Sequence, residues 1–410
     1  MTTVQLVAVL ISLTAALAYV NARFLRMPSQ VGMLVIGLAG SIALVLFDRA
    51  GIVDASRVRA LVGEVDFANT LLHGLLGLLL FAGALHVDLD EFKRQRLPIA
   101  GLSLSATLLS TGIVGIAIHA LFGLFGHPIA LVDALLFGAL ISPTDPIAVM
   151  GMLKHSRVPR EAAVQVAGES LFNDGIGVVV FTVLLAIRDG DQLHAGDAIL
   201  LFARQAFGGA AFGLVIGLVG KYLLRSLEEH TVAILVTLAL VLGGYVIAEE
   251  IGISGPIGAV VAGIAMGSES RRCAAQSSLL AFWQLVDETL NAILFLLLGL
   301  EATRLQLSVQ LAIVAAIAVP VVLGARLASV ELTSRLLRPF GARPIPHSTM
   351  ILTWGGLRGG LAVALALSLP ASDARNPSLV VTYVVVAASV IGQGLTMPWL
   401  LRRLGLDGAP

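Results

Sequence analysis

Long apolar segments recur along the whole chain, and they limit its fold more than any other feature of the sequence. Of the 410 residues, 57% are hydrophobic and 13% are charged, whereas soluble proteins contain about 25% charged residues. A helix crosses the bilayer core of about 30 Å with about 20 apolar residues, and several segments approach that length. The sequence therefore predicts an all-α integral membrane protein and excludes an ordinary soluble enzyme.

Thirteen segments are candidate membrane spans by length and apolar character. They cover residues 3–20, 29–47, 68–86, 98–122, 129–152, 162–187, 197–220, 231–248, 253–268, 279–301, 307–334, 347–369 and 379–402. The second and ninth are short and rich in glycine, which favours tight packing within the protein over contact with lipid. Residues 1–410 are expected to form a single membrane domain with no soluble regulatory domain.

The basic residues predict the orientation of these spans. If the N-terminus lies outside, seventeen of the 26 Lys and Arg residues fall in cytoplasmic loops and six fall in outer loops. Because basic loops are retained in the cytoplasm, the asymmetry favours an outer N-terminus and a cytoplasmic C-terminus. No basic residue precedes the first span, so we interpret it as a retained helix and not as a signal peptide. The expected location is the inner (plasma) membrane, with multiple crossings.

Two predicted spans are interrupted at corresponding places in the two halves of the chain. Ser142-Pro143-Thr144-Asp145-Pro146 breaks the fifth span, and Gly355-Gly356-Leu357-Arg358-Gly359-Gly360 breaks the twelfth. Simple kinks in packed helices are one interpretation. Broken spans seven helices apart instead favour inverted repeats with a transport site near the midplane. The predicted repeats are residues 1–187 and 231–410, joined by a linker helix at 188–230.

Ionisable residues within predicted spans are candidate functional residues, because each costs at least about 2.5 kcal/mol to insert. They are Asp133, Asp145, Glu169, Asp174, Asp287, Glu288, Arg326 and Arg358. In the sixth span, Glu169 and Asn173 are four residues apart, as are Ser170 and Asp174. Helical spacing places all four polar side chains on one face, about one turn long.

The unwound part of the fifth span offers further oxygen ligands close to that polar face. The Asp145 carboxylate and the exposed carbonyl of Thr144 are hard ligands that suit a small cation. A buried Arg358 needs an anionic partner, and we expect Glu169 to provide it in a mainly structural ion pair. Asp133 is expected at the rim of its span.

Two acidic residues of the tenth span, Asp287 and Glu288, have two open interpretations. They either line a cytoplasmic funnel or cap a helix at the membrane interface. The formal net charge of zero gives no electrostatic basis for binding nucleic acid. The single cysteine, Cys273, makes a disulfide or a thiol-bound metal cluster a poor interpretation. No cofactor is expected.

Four motifs resemble those of the monovalent cation/proton antiporters of the sodium/proton exchanger family, most closely its NhaP-like prokaryotic branch. They are Ser142-Pro143-Thr144-Asp145-Pro146, Gly168-Glu169-Ser170-Leu171-Phe172-Asn173-Asp174-Gly175, Gly355-Gly356-Leu357-Arg358-Gly359 and Gly392-Gln393-Gly394-Leu395-Thr396. The resemblance covers nearly the whole chain. It implies inverted repeats, two discontinuous helices (the fifth and twelfth) that cross near the midplane, and a homodimer with a mobile six-helix core.

The resemblance also implies roles for individual residues. Asp174 would carry a proton or a cation alternately, and Asp145, Ser170 and the Thr144 carbonyl would help to coordinate a monovalent metal ion. Asn173 stands where the electrogenic branch has a second aspartate, which implies electroneutral exchange of one cation for one proton.

The resemblance further implies that Glu169 and Arg358 form the buried structural ion pair of the family. One position departs from the pattern: some relatives have a carboxylate in the third span where this chain has Ala82. The choice of ion is therefore open. Na⁺ is favoured with Li⁺ tolerated, and K⁺/H⁺ exchange is the main alternative.

Two other functional classes use similar residues. A cation channel could use the same oxygen ligands, but it would conduct without moving protons. An intramembrane aspartyl protease also needs two membrane aspartates. The Gly-x-Gly-Asp context of such enzymes is absent around Asp145 and Asp174, so a non-enzymatic transporter is favoured.

Overall fold

The chain folds almost entirely into helices. The computed structural model describes residues 3–408, except 52–53, 55–66, 146, 154–155, 191–193, 271–275, 307 and 342–344. Within these residues the only β-type pairing is one isolated antiparallel bridge between Asp145 and Leu357. The predicted all-α fold class is therefore confirmed.

The main helices follow the predicted spans one by one. They are α1 (Thr3–Val20), α2 (Ser29–Arg49), α3 (Phe67–Leu85), α4 (Arg96–Leu124), α5a (Leu131–Ile141), α5b (Ile147–Leu153), α6 (Arg160–Arg188), α7 (Ala195–Arg225), α8 (His230–Glu250), α9 (Gly255–Ser270), α10 (Gln276–Glu301), α11 (Val309–Leu337), α12a (Ser348–Gly355), α12b (Gly360–Leu367) and α13 (Arg375–Arg403). A short helix, Leu89–Arg94, lies between α3 and α4.

Nine helical segments in the described part of the chain are long and apolar enough to cross a membrane. The fifth, ninth, tenth and twelfth predicted spans fall outside that group. The fifth and twelfth are broken, α9 has 16 residues, and α10 includes the charged residues Asp287, Glu288 and Glu301. The count of thirteen crossings thus stays a prediction.

The glycine-rich α2 and α9 pack closely against other helices, as predicted. α2 packs on α10, and α9 packs on α3. A Cβ atom added to Gly299 of α10 would lie 2.7 Å from Cα of Gly37 of α2. A Cβ atom on Gly263 would lie 2.9 Å from the carbonyl oxygen of Phe81, so a larger residue would separate each pair. An offset of seven helices relates α2 to α9 and α3 to α10, so it converts the contact of α2 with α10 into the contact of α9 with α3, as inverted repeats would require. The repeat and linker boundaries stay a prediction.

The two helix breaks meet inside the protein and position four helix ends around one point. The backbone N–H of Asp145 donates to the carbonyl of Leu357 at 2.7 Å. Glycine permits this approach, because a Cβ atom on Gly359 would lie 2.8 Å from Cβ of Asp145. Pro146 of the first break lies outside the described residues.

Candidate functional site

A cavity of about 480 Å³ reaches the point where the two breaks meet. Residues from α3, the break of α5, α5b, α6, α10 and α12b line it. The polar lining residues that concern the site are Thr144, Asp145, Ser170, Asp174, Asp287 and Glu288. The structure therefore brings together the predicted ligands of the fifth and sixth spans, and it adds two acidic residues of α10.

Asp174 differs in its contacts from Glu169 and Asp133, two other acidic residues of the helices. Its side chain lines the cavity and is partly buried. Within the described part of the chain it makes no hydrogen bond and no ion pair. By contrast, Arg326 holds Glu169, and Arg188 holds Asp133. The Asp174 carboxylate is consequently available to bind a proton or a cation.

Ser170 and Thr144 stand beside Asp174 in the cavity wall. The Ser170 hydroxyl donates to the Thr144 carbonyl, which lost its helical partner where α5 unwinds. The Thr144 hydroxyl accepts a bond of 2.8 Å from Nδ2 of Asn173. One carbonyl and two hydroxyl oxygens thus lie near the carboxylates, a set that matches hard monovalent cations.

Asn173 and Glu169 occupy a neighbouring face of α6 that is turned away from the cavity. Nδ2 of Asn173 donates to Oε1 of Glu169 at 2.7 Å, and its Oδ1 accepts from the Thr144 N–H at 3.3 Å. Asn173 is fully buried and does not line the cavity. The prediction of one shared polar face was therefore only partly right: Ser170 and Asp174 face the cavity, whereas Asn173 braces the broken helix.

The predicted ion pair between Glu169 and Arg358 is wrong. Glu169 instead forms a two-pronged pair with Arg326 of α11, with Nη1–Oε1 at 2.9 Å and Nη2–Oε2 at 2.6 Å. Arg326 also donates to the carbonyl of Leu352 in α12a at 3.2 Å. Both charged side chains are almost fully buried. The pair connects α6 to α11. Two parallel hydrogen bonds between the planar guanidinium and the carboxylate are stronger and more specific in geometry than one would be.

Arg358 has a different role, because it binds the end of α5a. Its Nη1 donates to the carbonyls of Ser142 and Pro143, the second at 3.1 Å. These carbonyls end a helix that cannot continue past its prolines, so they lack helical donors and carry the negative end of the helix dipole. A buried cation satisfies both needs. The unpaired carbonyls at a Pro-terminated break were the sequence signal for this contact.

The structure also locates the remaining predicted positions relative to the cavity. Asp287 and Glu288 line the cavity, which agrees with a funnel and not with an interfacial cap; the cytoplasmic side of that funnel stays a prediction. Asp133 pairs with Arg188 at 2.6 Å in the first turn of α5a, away from the cavity. Ala82 is fully buried and is not among the cavity residues, although its neighbour Gly83 is.

Comparison with known proteins agrees with this geometry. Residues 9–403 match the family model described as "Sodium/hydrogen exchanger, transmembrane". The chain belongs to this sodium/hydrogen exchanger family. It is 42% identical to the Na(+)/H(+) antiporter NhaP of Pseudomonas aeruginosa, covering 98% of this chain and 96% of that protein. It is 32% identical to the Na(+)/H(+) antiporter NhaH of Halobacillus dabanensis, covering 94% of each.

A solved structure of the same fold is that of the sodium proton antiporter MjNhaP1 from Methanocaldococcus jannaschii at pH 8. Its TM-score is 0.76 at 18% identity, over 96% of this chain and 100% of that one. The resemblance to the sodium/hydrogen exchanger family that the four motifs indicated is thus confirmed over nearly the whole length.

Proposed function

We propose that this protein is a secondary antiporter that exchanges Na⁺ for protons across a cell membrane. The observation that carries the proposal is the Asp174 carboxylate, which faces the cavity and has no hydrogen bond or ion pair among the described residues. The similar proteins from Pseudomonas aeruginosa and Halobacillus dabanensis are named as Na(+)/H(+) antiporters, which supports the choice of ion.

Competition for Asp174 would couple the two fluxes. A proton and a cation use the same lone pairs of one carboxylate, so the arrival of one favours the departure of the other. The cation would also contact Asp145, the Ser170 hydroxyl and the Thr144 carbonyl. An ionised, unloaded Asp174 is costly to move through a low-dielectric barrier. Only the loaded site would then change its access from one side to the other.

Charges around the helix breaks support electroneutral exchange of one cation for one proton. Glu169 and Arg326 neutralise each other in a direct pair. We infer that the buried Arg358 offsets the charge of Asp145, whose backbone N–H donates to the residue before this arginine. Among the described residues at the breaks, Asp174 would then carry the uncompensated charge, and a single proton or monovalent cation would neutralise it.

We further infer the state and the assembly of the protein. The cavity lining includes His86 and Val87, which follow α3, and Gln284 in the first part of α10. The predicted orientation places these residues on the cytoplasmic side, so the cavity would open inward. A homodimer with a mobile core, as the family resemblance implies, belongs to the same proposal.

The proposal is tested by reconstituting the protein in liposomes that contain a pH-sensitive dye. With an outward-directed or inward-directed cation gradient, Na⁺ and Li⁺ are expected to drive proton movement in the opposite direction. A response to K⁺ alone would replace the proposal by K⁺/H⁺ exchange. Cation current without proton movement would identify a channel instead.

Electroneutral exchange leads to a separate prediction about voltage. Clamping the liposome potential with valinomycin and K⁺ at different values should leave the rate of Na⁺-driven proton movement unchanged, because no net charge crosses per cycle. A rate that follows the imposed potential would show that a second group, such as Asp145, also carries a proton.

A further inference from the structure

A second cavity of about 280 Å³ lies between α11, α12a and α13. Its polar lining includes both buried arginines and two residues of α13, Ser389 and Gln393. Gln393 belongs to the motif Gly392-Gln393-Gly394-Leu395-Thr396, which the proposed exchange mechanism does not use. Both α13 side chains are at least nine-tenths buried.

Gln393 binds the end of α12a. Its Nε2 donates to the carbonyls of Thr353 and Trp354 at 3.1 and 3.3 Å. The helix ends at Gly355, so these carbonyls lack the donors that a continuous helix would supply. Gln393 therefore serves α12a as Arg358 serves α5a, but with a neutral amide that leaves the charge balance of the site unchanged.

Ser389 binds the other side of the same break. Its hydroxyl accepts from the backbone N–H of Arg358 at 3.0 Å and donates to Oε1 of Gln393 at 2.5 Å. Both residues belong to a π-helical turn of α13, Ala388–Gln393. Such turns are rare within helices and often occur at functional sites. One hydrogen-bonded pair thus joins the end of α12a to the extended residues beyond it.

The extended residues held by this pair contact the first cavity. The carbonyl of Leu357, which precedes Arg358, accepts a hydrogen bond from the backbone N–H of Asp145. Asp145 in turn lines the cavity beside Asp174. Hydrogen bonds therefore connect α13, through the break of α12, to the backbone of Asp145 at the cation site.

We propose that Ser389 and Gln393 are positioning residues for the cation site. They fix the break of α12, and through Leu357 they fix the position of Asp145 relative to Asp174. The inference rests on the proposed function, in which Asp145 helps to coordinate the cation. Neither side chain lines the first cavity, so the pair acts through the backbone and not by touching the ion.

The test uses the variants Gln393→Leu and Ser389→Ala in the full-length protein, assayed for Na⁺/H⁺ exchange in liposomes. Each should raise the KM for Na⁺ about tenfold, as a displaced oxygen ligand weakens binding, while the maximal rate changes by less than about twofold. The double variant should have a KM for Na⁺ no higher than that of the poorer single variant, because both substitutions break the same connection.

Thr382→Val is the matched control. Thr382 lies on the same helix, is fully buried, and its hydroxyl donates to the carbonyl of Ser378 in its own helix. This isosteric change should leave the KM for Na⁺ at the wild-type value. Thermal unfolding in detergent shows whether each variant is folded. If Gln393→Leu proves unstable, Ser389→Ala still tests the proposal, because it removes only one oxygen atom.

Two results would overturn the proposal. One is an unchanged KM in a folded Gln393→Leu or Ser389→Ala variant. The other is a fall in thermal stability and maximal rate at constant KM, which would show that the pair only packs α13 against α12a. These results concern only the change in KM between a variant and the wild-type protein. Whether Asp174 is the shared carrier is tested separately, by substituting Asp174 itself.

Discussion

Asp174→Asn should abolish Na⁺-driven proton movement and leave the protein folded. The amide has nearly the shape of the carboxylate, but it cannot take up a proton or neutralise a cation. Because Asp174 makes no hydrogen bond or ion pair among the described residues, the substitution leaves no partner unsatisfied. The expected result is exchange at the level of empty liposomes, with thermal unfolding close to that of the wild type.

Asp133→Asn is the control for that substitution. Asp133 is also an aspartate within the helical region, but it lies outside the cavity and pairs with Arg188. Arg188 retains a second acidic neighbour, Asp189, at 3.5 Å, so this variant should fold and exchange ions. Residual Na⁺-dependent proton movement in Asp174→Asn would reject Asp174 as the carrier.

Arg326→Met should strongly destabilise the protein, because it leaves the buried Glu169 carboxylate without its countercharge. Removing one partner of a buried ion pair costs about 3–5 kcal/mol. Both Nη atoms of Arg326 bind Glu169, and the carbonyl of Leu352 would lose a donor as well. Thermal unfolding in detergent is expected to show a large fall in stability and in the yield of folded protein.

Two further variants separate the charge effect from lost packing. The double variant Glu169→Gln with Arg326→Met removes both charges and keeps an oxygen to accept from Asn173, so it should recover much of the stability. Arg335→Met, on the same helix, breaks an exposed pair with Glu331 and should cost at most about 1 kcal/mol. If the single and double variants are equally unstable, the unpaired charge is not the cause.

Much of the architecture follows from the sequence. Apolar segments located the helices, since lipid demands about 20 apolar residues per crossing. The prolines of the Ser142–Pro146 segment and the glycines of the Gly355–Gly360 segment located both breaks, because these residues interrupt helical hydrogen bonding. Helical spacing correctly placed Glu169 within reach of Asn173, four residues along.

Long-range pairing could not be read in the same way. Glu169 has two arginines available, from α11 and from the break of α12, and spacing along the chain does not tell which one approaches. The structure assigns Arg326 to Glu169, and it directs Arg358 to the backbone carbonyl groups at the proline break of α5. The contacts of Gln393 with the end of α12a were missed for the same reason.

The sequence by itself determined a helical membrane protein with two broken spans and an acidic centre near Asp174. Hydropathy, prolines, glycines and helical spacing are local properties, and local physics is sufficient for those features. The tertiary structure alone decided which charges are paired, and that Asp174 faces the cavity with no hydrogen bond or ion pair among the described residues. Each buried polar group takes the partner that packing brings within about 3 Å, and only the folded chain specifies those distances.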